Sequence, residues 1–172
     1  MSFLEDAKKR FSVRSFINKP IPEETLDYML ECARVAPSAA NRQAYVIYVL
    51  KEGEIRELVN ETYPRAWIKQ APVLLVICEN RNTSWKHSKT HDDFARIDAT
   101  IAIDHITLAA AEKKIGTCWI CHFDIDKCAE ILDVTMGIIP FALLPLGYTN
   151  EQSDLNRHSE KRLTISDIVK TI

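Results

Sequence analysis

The spacing of apolar positions changes character along the chain. Leu26, Met29, Leu30 and Ala33 recur at helical spacing, and Glu23 and Glu24 lead them. This predicts a helix over 23–35 with acids in its first turn and Pro22 just inside its start. Ahead of it, 3–10 reads as a short amphipathic helix opened by Ser2. Residues 11–22 are extended or irregular, because Pro20 and Pro22 stop a helix. Pro37 ends the second helix and begins a loop through Gln43. Residues 45–50 and 73–78 are continuous apolar runs of strand length, read as buried strands on either side of a short helix over 54–62. Residues 80–93 are polar and aperiodic, which predicts a long surface loop and a candidate lid.

Residues 97–114 are apolar on nearly every face, the mark of a central or interface helix, with Gly116 as its C-cap. A strand over 117–123, a helix over 126–132 and a strand over 138–146, interrupted by Pro140 and closed by Pro145, follow. The tail is polar and ends in an amphipathic stretch, 163–169. Helices interleaved with strands predict an α/β or α+β sandwich around a four- or five-stranded sheet.

Composition narrows the function. With 172 residues and 47% apolar content, one domain over 1–172 can bury its core without disulfides. A net charge of -2 leaves no footprint for nucleic acid or an anionic membrane surface. No apolar run near the start has signal-peptide length, and the longest one, 72–78, is too short for a bilayer. A cytoplasmic location and reduced thiols for the five cysteines are therefore expected. Only four glycines occur, with no Gly-x-Gly-x-x-Gly and no Walker loop. Any phosphate must be held by side chains.

Four stretches could carry chemistry. In an extended segment, Arg10, Ser12 and Arg14 of Arg10-Phe11-Ser12-Val13-Arg14 share one face, presenting two guanidinium forks and a hydroxyl. Spacing alone fits a solvated basic face at a helix end at least as well. Residues 36–43, Ala-Pro-Ser-Ala-Ala-Asn-Arg-Gln, place small residues and two amides after a helix terminator; they suit a flat ligand, or simply a polar loop. Cys118-Trp119-Ile120-Cys121-His122 matches C-x-x-C-H, the pattern of c-type haem attachment or a metal pair. In a strand the two thiols point to opposite faces, which opposes that reading. Lys161-Arg162 in the tail could join Arg10 and Arg14 around a phosphate. His87, His91, His105 and His158 are scattered, and Asp98 and Asp104 do not share a helical face.

In this order, the four stretches resemble the nitroreductase family of flavoproteins over almost the whole chain. The first resembles its Arg-x-Ser-x-(Arg/Lys) segment, and 36–43 its Ala-Pro-Ser-x-x-Asn-x-Gln loop. Leu108-Ala109-Ala110-Ala111 leading to Ile115-Gly116-Thr117-Cys118-Trp119-Ile120 resembles its central helix and next strand, and Leu144-Pro145-Leu146-Gly147-Tyr148 its late strand and turn. The resemblance implies an α+β three-layer sandwich, a mixed and mostly antiparallel sheet flanked by helices, in an interlocked homodimer with FMN at the interface. It implies that Arg10 and Arg162 hold the phosphate, with Lys161 assisting, while Phe11, Ser12 and Arg14 line the ribityl chain and pyrimidine edge. Pro37, Ser38, Ala39, Asn41 and Gln43 would cover the flavin from the partner, and Cys121 and His122 would lie beside the reactive ring edge. The implied activity is ping-pong electron transfer from NAD(P)H to a nitroaromatic, quinone or similar small acceptor. A flavin-binding protein with little turnover is the alternative, and a haem or metal carrier on Cys118 and Cys121 a further one. The chain departs from the family at Cys121 and His122, where small residues are usual, at Glu160 in place of a Lys, and at Ala44 in place of a Pro.

Overall fold

The computed structural model describes residues 2–172. Helix α1, Phe3–Lys9, is opened by a capping box in which the Glu5 amide donates to Ser2 Oγ and the Ser2 amide to Glu5 Oε2, at 3.4 and 2.7 Å. Helix α2, Glu23–Arg34, buries Leu26, Met29 and Ala33, with Pro22 as its N-cap rather than its first residue. There follow strand β1, Tyr45–Leu50; helix α3, Glu54–Asn60; strand β2, Val73–Asn80; helix α4, Ala95–Glu112; strand β3, Gly116–Thr117; helix α5, Ile125–Ile131; and strand β4, Ile138–Gly147. Two short helices close the chain, α6, Arg157–Glu160, and α7, Ile165–Ile168. Among the described residues, no helix is long and apolar enough to cross a membrane.

The sheet runs β1-β2-β4-β3 with every strand pair antiparallel; Ser12 adds an isolated parallel bridge to Thr117. Alternation along β2 and β4 sorts the core. Val73, Leu75, Ile77, Ala142, Leu144 and Leu146 face α2 and α4. Leu74, Val76, Cys78 and Leu143 face Val59 of α3 and Cys128 of α5. The sheet is thus the middle layer of three, and the continuous apolar run of β2 follows from burial on both faces. Each such Leu or Ile contributes about 1.5–3 kcal/mol by leaving water.

Three elements differ from the expectation. Strand β1 is an edge strand, half-buried along most of its length, with Val49 exposed at its free margin. The predicted strand over 117–123 pairs continuously only at Gly116–Thr117, then touches β4 once more through Ile120 and Leu143, whose amide–carbonyl pairs are 3.0 and 2.9 Å. A bulge beside Pro140, which has no N–H to pair, leaves Phe141 opposite no β2 residue, and Trp119 packs edge-on against it. Residues 80–93 are also more structured than a bare loop. Lys86 bridges Asp93, Trp85 packs edge-on against Phe94, and the Phe94 amide donates to buried Ser84 Oγ at 3.0 Å.

Gly116 does not cap α4. Lys114 takes the left-handed turn at φ 60, so the amides of Lys114 and Ile115 close the helix onto Ala111 and Ala110. Gly116 is instead where the 11–14 segment lies against the sheet: a Cβ there would stand 2.8 Å from Val13 Cγ2. Gly116→Ala is expected to lower unfolding free energy by about 1–3 kcal/mol. The drop would be read as a lower denaturant midpoint and partly recovered in the double variant with Val13→Ala. An unchanged midpoint would contradict the close approach.

Candidate functional site

The chain leaves α1 at Arg10 and runs along the open side of β3, where the Val13 amide donates to Thr117 O at 2.9 Å. Val13 is buried, Phe11 and Ser12 are partly open and Arg14 is exposed; Arg10 and Arg14 border different cavities rather than one shared face. Phe11 packs with Val13, Phe16 and Trp67. Arg10 borders a cleft of about 360 Å³ whose walls come from Thr117, the end of α4 and the segment after β4.

Positive charge gathers there. Burial lowers the Arg10 guanidinium's pKa first; Arg157 lowers it further, Asp104 acts in the opposite direction, and Arg162 adds to the lowering. Arg157 was not anticipated from the tail. Its guanidinium donates to the carbonyls of Lys8 and Arg10, each at 2.8 Å, and so fixes α6 against the end of α1. Arg162 is thus among the charges felt at Arg10, whereas Lys161 is exposed and is not among them. Among the described residues, no carboxylate forms an ion pair with the side chains of Arg10, Arg14, Arg157 or Arg162; Glu151, which also borders the cleft, accepts only from the Arg14 amide, at 3.3 Å.

A second cavity, about 380 Å³, lies beyond Arg14. Its walls are Cys118–His122 on one side and Tyr63, Pro64 and Arg65 on the other. Cys118 is buried and Cys121 exposed, and all five cysteines are free. Burial raises the Cys118 thiol, offset in part by Arg14 and by a hydrogen bond with Ser12. Trp119, whose ring packs with Phe141 toward the α2/α4 side of the sheet, keeps a buried indole N–H with no acceptor within the described residues. Such an unpaired buried donor costs about 1–3 kcal/mol. Nothing in the sequence pattern pointed to 63–65.

The loop 37–43 stands elsewhere, at the start of α4. Ser38 Oγ accepts from the amide and the side chain of Gln43, at 3.0 and 3.1 Å, and Gln43 Nε2 donates to Asn41 Oδ1 at 2.6 Å. Ala40, Asn41 and Gln43 all have positive φ. Buried Asp98 on α4 holds the loop, accepting from the amides of Ala39 and Ala44 at 2.8 and 3.3 Å. From Asp98 to Ala111, which borders the Arg10 cleft, α4 rises about 20 Å. One chain therefore does not bring its own Pro37, Ser38, Ala39, Asn41 and Gln43 to its own Arg10, Ser12 and Arg14.

The sequence profile of the nitroreductase family matches residues 7–65 and 59–148. A protein of Methanothermobacter thermautotrophicus named as an NADH dehydrogenase/NAD(P)H nitroreductase is 30% identical over 156 residues, covering 88% of this chain and 79% of its own. An NAD(P)H FMN reductase of Bacillus subtilis is 27% identical over 158 residues, covering 83% of this chain and 64% of its own. The crystal structure of a nitroreductase family protein from Clostridium difficile 630 superposes with a TM-score of 0.91 at 30% identity, covering 99% of this chain and 98% of that one.

Proposed function

Because this chain belongs to the nitroreductase family, we propose that it is an FMN-dependent oxidoreductase that passes electrons from NAD(P)H to a small-molecule acceptor such as a nitroaromatic or a quinone. One observation carries the reading. Arg10, Arg157 and Arg162 converge at the end of α1 with no carboxylate partner among the described residues, beside a strip bearing Ser12 and Arg14. A dianionic phosphate suits that set.

Arg10 and Arg162 would hold the phosphate, with Arg157 fixing their backbone support. Phe11 and Ser12 would line the ribityl chain, and Arg14 would stabilise negative charge at the pyrimidine edge. When bound, the flavin supplies hydride acceptance from the nicotinamide and, in a second half-reaction, electron delivery to the acceptor. The backbone at Cys121 and His122 would border the reactive edge, and the exposed His122 imidazole would give a proton to the reduced acceptor. Pro37, Ser38, Ala39, Asn41 and Gln43 of a second copy would cover the ring, which is the reason for proposing a homodimer.

Two features support the dimer. The covering loop is far from the chain's own phosphate site. Leu163, Ile165, Ile168 and Val169 around α7 are all more than half exposed in the single chain. We further read 1–172 as one domain working in the cytoplasm.

The purified protein is expected to be yellow, with flavin bands in the near-ultraviolet and the blue, and to bleach within turnover time on anaerobic addition of NADH or NADPH. Bleaching far slower than any turnover would favour a flavin carrier. A colourless protein that FMN does not reconstitute would overturn the proposal.

A further inference from the structure

We propose that the acceptor taken by this site is a small aromatic molecule bearing a carboxylate or similar oxyanion, which Arg65 recognises. The proposal rests on the flavin reading above and goes beyond it to the acceptor's chemistry.

The cavity beyond Arg14 has two cationic walls and no acidic one. Arg14 stands on one side with Cys118–His122, and Arg65 on the other with Tyr63 and Pro64. In the flavin reading Arg14 is committed to the pyrimidine edge. Arg65 is not, and among the described residues its side chain has no ion pair and no hydrogen bond. The nearest acids along the chain are engaged elsewhere: Glu61 with Lys127 at 3.7 Å and Glu57 with Lys69 at 3.9 Å. An uncommitted guanidinium at the mouth of a cavity lined by Tyr63, Trp119 and His122 matches a flat ring with a planar oxyanion.

The backbone beneath Arg65 is held in place. Its amide donates to Tyr63 O at 2.9 Å across Pro64. Tyr63 stands edge-on to Trp67, with ring centres 5.7 Å apart, and Trp67 rests on Phe16. The Asp124 amide donates to Thr62 O at 2.9 Å, tying this rim to the stretch that carries Cys121 and His122. Binding an oxyanion therefore orders the Arg65 side chain alone, which keeps the entropic cost small.

The test uses the purified holoprotein and two inert ligands of one shape, benzoate and benzamide. Affinities are read by calorimetry and by the shift of the flavin absorbance. Benzoate is expected to bind at least about tenfold tighter than benzamide. Arg65→Gln should abolish that preference, and Arg65→Lys should restore part of it. Equal binding of the two ligands, or a preference that survives Arg65→Gln, overturns the proposal. So does a rise in KM for NADPH but not NADH in Arg65→Gln with the benzoate preference intact, since the cation would then serve a nucleotide phosphate. Failure of the flavin reading shows separately as a wild-type chain without flavin, and calorimetry on that colourless protein still reports on Arg65.

Discussion

Replacing Asp98 with alanine is expected to lower the unfolding free energy by about 3 kcal/mol, and with it the melting temperature by about 6–12 °C. The carboxylate is almost fully buried on α4, and no basic group pairs with it among the described residues. Its two oxygens serve backbone amides on either side of a loop in which Ala40, Asn41 and Gln43 sit at φ 50, 54 and 41. Left-handed backbone at non-glycine residues costs of order 1 kcal/mol each, so the loop persists only because other bonds determine it. Alanine removes both acceptors and leaves the buried Ala44 amide without one. Asp98→Asn should fall between, since an amide group presents one oxygen and one nitrogen to two donors. Thermal and denaturant melts with saturating FMN measure both variants. An Asp98→Ala protein within about 1 kcal/mol of wild type would show that the loop does not depend on the carboxylate.

The second large effect concerns the cofactor. Arg10→Gln is expected to weaken FMN binding about 100-fold, close to 2.7 kcal/mol, the magnitude of a partly buried charge-assisted contact to phosphate. The environment of Arg10 gives the reason. Burial and two neighbouring guanidiniums already disfavour its charged form, and an incoming dianion relieves that repulsion. Riboflavin, which lacks the phosphate, is the control and should bind wild type and variant alike. Arg157→Gln should weaken FMN less directly, by freeing α6 from the carbonyls of Lys8 and Arg10. If FMN and riboflavin lose affinity equally in Arg10→Gln, the phosphate is not where the arginines converge.

Much of this molecule could be read from its residue pattern because periodicity reports burial. The stripe Leu26, Met29 and Ala33 and the unbroken run of β2 each announced their element, and the motif order announced the family. Pairing and backbone strain are less visible. Gly116 was expected as a cap because glycine usually ends helices; Lys114 does so here, and the glycine answers a contact with Val13, about one hundred residues away. The strand after it pairs at Gly116–Thr117 and again only at Ile120, and the gap falls opposite Pro145 of β4, which has no N–H to offer. For the proposed site, Arg10, Ser12, Arg14 and Arg162 follow from spacing and resemblance. Arg157 and Arg65 do not, since the first matters through a tertiary contact and the second through the cavity that folding places beside it. Asp98 was set aside as half of a poor acid pair, whereas its work is to accept two amide protons.

The exposed apolar residues of α7 have a consequence for how this protein behaves on dilution. Arg162 lies between α6 and α7, close enough to Arg10 for its charge to be felt there. On the proposed dimer, whatever covers Ile165 and Ile168 also steadies the segment that carries Arg162. Subunit association and flavin binding then become linked equilibria, each raising the apparent affinity of the other by the same factor. Cofactor retention would be a property of protein concentration as much as of the pocket, and a dilute sample would shed its colour as it came apart.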